Sequence, residues 1–165
     1  MNQDQDITMK YQENPKKIKF MKAALREAEK AFEKAEVPVG AVVVCDDKII
    51  ARAHNRREQK QWIHGHAEFL AMMKAAKKKG SWRLDNCSVY VTMEPCPMCA
   101  GAMIQARIGK VYYGVRDPKS GVVSSLTQLF SLPFNHHVEF QEFLLENESE
   151  KLLKSFFKQL RKPKK

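Results

Sequence analysis

The pattern of apolar positions along the chain predicts an alternation of helices and strands. Between residues 18 and 35, apolar side chains recur at spacings of three and four, which is typical of one buried helix face. Asn14 followed by Pro15 is a typical start for that helix. The apolar run VGAVVVC at 39–45 predicts a buried strand, and IIARAHN at 49–55 predicts its hairpin partner.

The rest of the chain continues this alternation. The predicted elements are helices at 66–80 and 96–108, strands at 87–93, 110–115 and near 137–142, a short irregular helix after the loop at 116–121, and a final helix from about residue 148. Strands that alternate with helices favour an α/β fold with three α/β/α layers around a mixed sheet of about five strands.

Length and composition predict one domain without a membrane segment. The 165 residues suit a single domain, which we place at 14–161, between a polar, flexible N-terminus at 1–13 and a basic tail at 162–165. No apolar run is long enough to span a bilayer, and no secretion signal is recognisable, so we expect a soluble cytoplasmic protein. In that setting we expect Cys45 and Cys87 to be buried thiols rather than a disulfide.

Charge adds a hypothesis about the partner. The formal net charge is +10, and the last fifteen residues hold seven Lys or Arg and no acid, which leaves +3 for the first 150. A concentrated basic end indicates a polyanionic partner, RNA or DNA before an anionic membrane. The alternative is a solvated tail that only aids solubility.

Two short motifs have the spacing of a metal site. His66 and Glu68 begin one predicted helix, and Cys96 and Cys99 begin another, with both thiols on one helical face. A helix N-terminus favours thiolate, and one imidazole with two thiolates is a zinc ligand set. Three protein ligands leave a position for water, which is the pattern of a catalytic zinc, and Glu68 is placed to move protons.

Three alternatives compete with a catalytic zinc site. The CxxC motif is compatible with a redox pair, although the flanking residues differ from the thioredoxin pattern and leave His66 and Glu68 without a role. His64 or Cys87 could supply a fourth ligand and close a structural zinc site. The two thiols could also simply be buried neighbours.

The combination HAE and EPCPMC resembles the zinc-dependent nucleoside and nucleobase deaminases. With EVPVGAVVV, HNR, RDPKSG, NHHVE and FFKQLRK, the similarity extends over about residues 15–161 to the bacterial TadA-type tRNA adenosine deaminases. The resemblance implies a cytidine deaminase-like fold and a homodimer with one zinc ion per subunit. It also implies hydrolytic deamination of the wobble adenosine in a tRNA anticodon loop, expected to be tRNA-Arg with an ACG anticodon, to inosine and ammonia.

The resemblance also implies roles for individual residues. His66, Cys96 and Cys99 bind zinc, and Glu68 transfers a proton from the water that zinc activates to the base and the leaving amine. The residues implied to contact substrate are Asn55, which hydrogen-bonds the target base, Glu36, Val37 and Pro38 at the pocket, Asp117 and Lys119 near the RNA, and Phe156, Phe157, Lys158 and Arg161 in the last helix.

The segment QWIHG at 61–65 departs from the polar segment that family members often carry there, and Trp62 and His64 are its unusual residues. One rival function keeps the chemistry and changes the substrate to guanine or another free nucleobase. Another rival is a non-catalytic RNA-binding protein that retains zinc for structure, and Glu68 argues against it.

Overall fold

The computed structural model describes residues 14–163, which fold around one mixed sheet. The helices are α1 (Pro15–Glu33), α2 (Arg57–Lys60), α3 (Ala67–Lys79), α4 (Pro97–Gln105) and α5 (Glu146–Leu160), with a 3₁₀ turn at Leu129–Ser131. The strands are β1 (Gly40–Cys45), β2 (Lys48–His54), β3 (Cys87–Met93), β4 (Lys110–Val115) and β5 (Glu139–Gln141). None of the described helices is long and apolar enough to cross a bilayer.

The sheet has the strand order β2-β1-β3-β4-β5. β1 pairs antiparallel with β2 and β3, while β3 pairs parallel with β4, and β4 parallel with β5. The crossover that a parallel β3–β4 pair requires is α4. The C-terminal end of β3, which leads into α4, and the loop after β4 therefore lie at the same edge of the sheet. The candidate site is found at this edge.

Alternate residues of the central strands point to opposite layers. Ala41 and Val43 face one core, which α3 and α4 cover, while Val42 and Val44 face a second core covered by α1. Helix α5 packs on the same side as α1, since Phe156 meets the ring of Phe32 at a centroid distance of 5.9 Å. The predicted three-layer α/β/α fold with a mixed five-stranded sheet is confirmed.

The boundaries follow the predicted signals closely. Asn14 caps α1, its side-chain oxygen accepting a hydrogen bond from the backbone N–H of Lys16 at 3.2 Å, and Gly80 ends α3 in a left-handed conformation. The short helix α2 was not predicted, because four residues are too few for a periodic pattern. The flexible N-terminus predicted at 1–13 lies outside the described residues, as do residues 164–165 of the basic tail.

The expectation that Cys45 and Cys87 are separate thiols is wrong in this structure, which joins them in a disulfide. They face each other in the antiparallel register of β1 and β3, with 4.5 Å between their Cα atoms. Neither the expected redox compartment nor the spacing of the cysteines along the chain could predict this disulfide. The register of β1 and β3 alone brings two residues 42 positions apart into contact.

Candidate metal centre and substrate cavity

Two helix N-termini bring the candidate ligands together. His66 is the N-cap of α3, Cys96 is the N-cap of α4, and Cys99 lies in the first turn of α4. The Nδ1 atom of His66 lies 3.4 Å from the Cys96 sulfur and 3.5 Å from the Cys99 sulfur. Among residues 14–163, these three form the one group of His, Cys, Asp and Glu side chains close enough to share a metal ion.

The spacing of these atoms suits zinc. A tetrahedral ion about 2.05 Å from nitrogen and 2.3 Å from sulfur separates those two ligand atoms by about 3.5 Å. Both distances from His66 Nδ1 to sulfur match this separation. One imidazole with two thiolates is also the soft donor set that zinc prefers. The side chains therefore fit a three-ligand zinc site.

The electrostatics of the two thiols favour negative charge at the cluster. A hydrogen bond from the Cys99 thiol, with further help from His66, lowers the pKa of Cys96 to about 4 despite burial. The same hydrogen bond and burial raise the pKa of Cys99, and the hydrogen bond with Cys96 raises the pKa of His66. Cys96 is therefore the thiolate of the cluster, and Cys99 keeps its thiol proton, which a bound metal ion would displace.

Glu68 lies beside the cluster without belonging to it. Its side chain is 4% exposed, and its Oε1 lies 3.2 Å from the Cys99 sulfur, so it shares the single proton of the Cys99 thiol with Cys96. Burial raises the pKa of Glu68 to about 7, against the opposing charge of His66. A carboxyl group with such a pKa can both accept and return a proton near neutral pH.

His66 and Cys96 of the cluster, together with Glu68, form part of the wall of a cavity of about 600 Å³, which is large enough for a nucleobase with its sugar, while Cys99 is fully buried behind them. The cavity brings together most of the residues predicted for the site. Its lining is Val37, Val39, Asn55, Arg57, His66, Ala67, Glu68, Met93, Glu94, Cys96, Asp117, Pro118, Lys119, Ser120 and Phe157.

Asn55 is held in place from both ends of its amide. The Nδ2 group donates to the Val37 carbonyl at 3.2 Å, and the Oδ1 atom accepts from the Arg57 backbone N–H at 3.1 Å. Each of these atoms can make one further hydrogen bond. The amide is therefore oriented by the chain and still able to bind a ligand in the cavity.

Two residues predicted for the pocket lie elsewhere. Pro38 is buried beside the cavity without lining it. Glu36 is 1% exposed, and its carboxylate accepts hydrogen bonds from the backbone N–H groups of Glu58 and Gln59 in α2. Glu36 therefore anchors the segment that follows Asn55.

The residues of the last helix that were predicted to contact RNA lie in three different environments. Phe157 lines the cavity, whereas Lys158 and Arg161 are exposed on α5 outside the cavity. The assignment of Phe156 to the RNA surface is corrected. Phe156 is 7% exposed and packs against Phe32, because the apolar face of α5 must cover the sheet.

Glu94 is a residue of the site that sequence reasoning missed. Its buried carboxylate accepts hydrogen bonds at 2.9–3.0 Å from the backbone N–H groups of Asp117, Val123, Ser124 and Ser125. It thereby holds the loop that contributes Asp117 and Lys119 to the cavity wall. The available signal was an acidic residue directly after an apolar strand, where a buried charge requires several donors.

The alternatives to an open zinc site lose support. Cys87 is bonded to Cys45, and the His64 ring stacks on Trp62, so neither is grouped with the three candidate ligands. Cys96 and Cys99 are free cysteines whose sulfur atoms both lie within 3.5 Å of His66 Nδ1, so a third candidate metal ligand faces the pair.

Comparison with known proteins gives a consistent result. A model of the MafB19-like deaminase family matches residues 15–161. The chain is 50% identical over 147 residues to the tRNA-specific adenosine deaminase of Bacillus subtilis, covering 88% of this chain and 91% of that protein. It is 46% identical over 143 residues to the protein of the same name from Aquifex aeolicus, covering 86% and 94%.

Solved structures agree with these relatives. A structure from a study of A-to-I editing by tRNA:A34 deaminases at the wobble position superposes with a TM-score of 0.79 at 44% identity, covering 82% of this chain and 99% of that one. Guanine deaminase from Nitrosomonas europaea superposes with a TM-score of 0.74 at 20% identity, covering 87% and 84%. The second likeness concerns the fold alone.

Proposed function

Because this chain belongs to the family of tRNA-specific adenosine deaminases, we propose that it converts the wobble adenosine of a tRNA anticodon loop to inosine by hydrolysis. Water replaces the exocyclic amino group at C6 of the base, and ammonia leaves. The observation that carries this proposal is the buried Glu68 carboxylate beside the His66, Cys96 and Cys99 cluster in the wall of the cavity.

His66, Cys96 and Cys99 would hold one zinc ion. A bound zinc ion acts as a Lewis acid that makes water nucleophilic at neutral pH. The N-termini of α3 and α4 stabilise the negative charge of the two thiolates that this ligand set requires.

Glu68 performs the proton transfers in this proposal. Its carboxylate accepts a proton from the attacking water, delivers it to the ring nitrogen, and assists protonation of the leaving amine. Burial limits the contact of the carboxylate with bulk water and favours its protonated form, which helps it to accept a proton. Asn55 would hydrogen-bond the base and keep C6 opposite the water.

The outer residues suit an RNA substrate. Phe157 offers an aromatic face at the cavity, and Lys119, Lys158 and Arg161 supply positive charge for phosphates. An anticodon loop is already single-stranded, so turning one base into the cavity costs less than in a duplex.

The finer assignments belong to the same proposal. We infer that the substrate is tRNA-Arg with an ACG anticodon, that the enzyme works as a homodimer, and that it acts in the cytoplasm, where its tRNA substrate is found. A basic protein with the largest excess of charge at its C-terminal end suits a polyanionic substrate of this size.

The test is inosine formation at the wobble position of an in vitro transcribed tRNA-Arg, with and without a zinc chelator. We expect inosine that disappears on chelation and returns when zinc is restored. Zinc-loaded protein that forms no inosine on this tRNA would contradict the proposal. Release of ammonia from guanine or another free base would then identify the rival function.

Replacement of Glu68 by alanine tests the mechanism. We expect Glu68→Ala to keep its zinc and its fold while turnover falls by at least about 10³-fold, because the proton carrier is lost. Metal analysis, circular dichroism and inosine formation measure the three properties on one preparation. Activity close to that of the unaltered protein would eliminate Glu68 as the proton carrier.

A further inference from the structure

The loop between β2 and α3 links two residues of the cavity wall. It begins after Asn55 and ends at His66, and it folds back tightly on Arg57, which also lines the cavity. The Trp62 backbone N–H donates to the Arg57 carbonyl at 3.2 Å, and the Gly65 N–H donates to the Trp62 carbonyl at 3.1 Å. Trp62 is therefore tied through its backbone to Arg57, a residue of the cavity wall, while the Trp62 side chain itself does not line the cavity.

The Trp62 side chain sits in an exposed aromatic and cationic cluster. Its ring stacks on the His64 ring at a centroid distance of 5.2 Å with an interplanar angle of 16°. The Arg56 guanidinium and the Lys60 ammonium group each lie 5.9 Å from the centroid of the Trp62 ring. Trp62 remains 36% exposed, so these neighbours leave part of a large apolar ring open to water.

Exposed aromatic rings beside cationic side chains favour a particular class of ligand. Aromatic rings that stack on bases, together with cations that meet phosphates, are the means by which proteins hold single-stranded nucleic acid. The cluster belongs to the loop that joins two residues of the cavity wall, Asn55 and His66, so along the chain it lies between groups that would hold the target base.

We propose that Trp62, supported by His64, is a stacking platform for the base of a nucleotide that flanks the target adenosine. Arg56 and Lys60 accompany it as phosphate contacts. The inference rests on the proposed function, since it presumes an RNA whose target base enters the cavity. It adds a specificity-determining residue to the reaction, because the strength of stacking depends on which base occupies the flanking position.

The first experiment combines protein and RNA changes. Trp62→Leu keeps apolar volume and removes the aromatic face, while Trp62→Phe keeps a smaller face. The control is Trp82→Leu, since Trp82 is 59% exposed, lies near Arg83 and Arg107 at 5.3 and 5.8 Å, and is not part of the cavity wall. The substrates are anticodon stem-loops with an abasic nucleotide on either side of the target adenosine in turn.

We expect kcat/KM on the intact stem-loop to fall about tenfold in Trp62→Leu and little in Trp62→Phe or Trp82→Leu. With the unaltered protein, one of the two abasic substitutions should lower kcat/KM by about the same factor as Trp62→Leu does. With Trp62→Leu, the same abasic substitution should lower kcat/KM hardly any further, because the two changes remove the same stacking contact. Additive losses at both flanking positions would overturn the proposal. So would a loss in Trp62→Leu that follows a changed oligomeric state on gel filtration.

A second readout separates this inference from the proposed function. The chain contains two tryptophans, so Trp82→Phe leaves Trp62 as the single fluorophore of its kind. Binding of the stem-loop should quench that fluorescence, and the abasic stem-loop that lowers activity should not. Quenching without inosine formation would support the stacking role of Trp62 and contradict the proposed deamination. Inosine formation without quenching would contradict the stacking role of Trp62.

Discussion

At the scale of single residues, the carboxylates near the site are held in two different ways. Glu68 lies among few donors, so burial raises its pKa to about 7. Glu94 is also buried, yet hydrogen bonds from the Ser125 hydroxyl and from backbone N–H groups of the surrounding loop outweigh burial and lower its pKa. The same side chain can therefore carry protons in one place and anchor a loop in another, according to the number of donors around it.

Glu142 provides a pH-dependent test of such an anchor. Its carboxylate accepts two hydrogen bonds from Arg116, at 2.9 and 2.8 Å, and one from the Tyr113 hydroxyl at 2.8 Å. The Arg116 hydrogen bonds lower the pKa of Glu142. Stabilisation by a lowered carboxyl pKa is complete above the ordinary value near 4.5 and is lost as the pH falls through the lowered one.

We therefore expect Glu142→Gln to lower the free energy of unfolding by about 1 kcal/mol at pH 7 and progressively less below pH 4.5. Denaturant unfolding at several pH values measures the difference. Glu150→Gln is the control, because Glu150 makes one exposed helix pair with Lys154 at 2.7 Å and should change stability by less than about 0.5 kcal/mol. A deficit in Glu142→Gln that stays constant down to pH 3 would contradict the assignment.

At the scale of elements, helix α5 has three surfaces with separate tasks. Leu153 and Phe156 pack against the domain, Phe157 lines the cavity, and Lys158 and Arg161 remain exposed near its C-terminal end. Deleting the helix would not separate these tasks, because the loss of Phe156 would also expose the core and destabilise the fold. Removing charge alone is the sharper test of RNA binding.

We expect Lys158→Ala with Arg161→Ala to weaken binding of the anticodon stem-loop and to flatten its salt dependence. Each lost phosphate contact should reduce the slope of log K against log salt by about 0.7. Lys77→Ala with Lys78→Ala removes equal charge from the last turn of α3, about 16 Å along that helix from the candidate ligands. Equal effects from the two pairs would mean that only net charge matters.

At the scale of the whole molecule, the site and the disulfide lie at opposite ends of the sheet. Met93 and Cys96 lie at or just beyond the end of β3 at the cavity, whereas Cys87 begins the strand about 20 Å away. The bond between Cys45 and Cys87 closes a loop that contains β2, α2 and α3. A crosslink over that length restricts mainly the unfolded chain.

We expect reduction of the disulfide to lower the free energy of unfolding by about 3–4 kcal/mol while kcat for inosine formation stays unchanged. Thermal unfolding with and without reductant measures this difference. The double variant Cys45→Ala/Cys87→Ala should unfold at one temperature in both conditions. An unaltered protein whose unfolding temperature ignores the reductant would show that the bond is absent in solution.

Much of this protein was determined by its sequence, because local chemistry decides local structure. The 3.6-residue and two-residue periods of apolar side chains specified the helices, strands and layers, and Asn14, Pro15 and Gly80 marked helix ends. The motifs of His66 with Glu68 and of Cys96 with Cys99 placed the candidate chemistry at two helix N-termini, and the spacing of three put both cysteines on one helix face.

Only the tertiary structure decided relations between distant segments. It paired Cys45 with Cys87, turned Phe156 into the core and Phe157 to the cavity, and surrounded Glu94 with donors from a loop more than twenty residues away. It also tied Trp62 through its backbone to Arg57 of the cavity wall. Strand register, the choice of a helix face and the supply of donors to a buried charge depend on packing between elements, which no local pattern records.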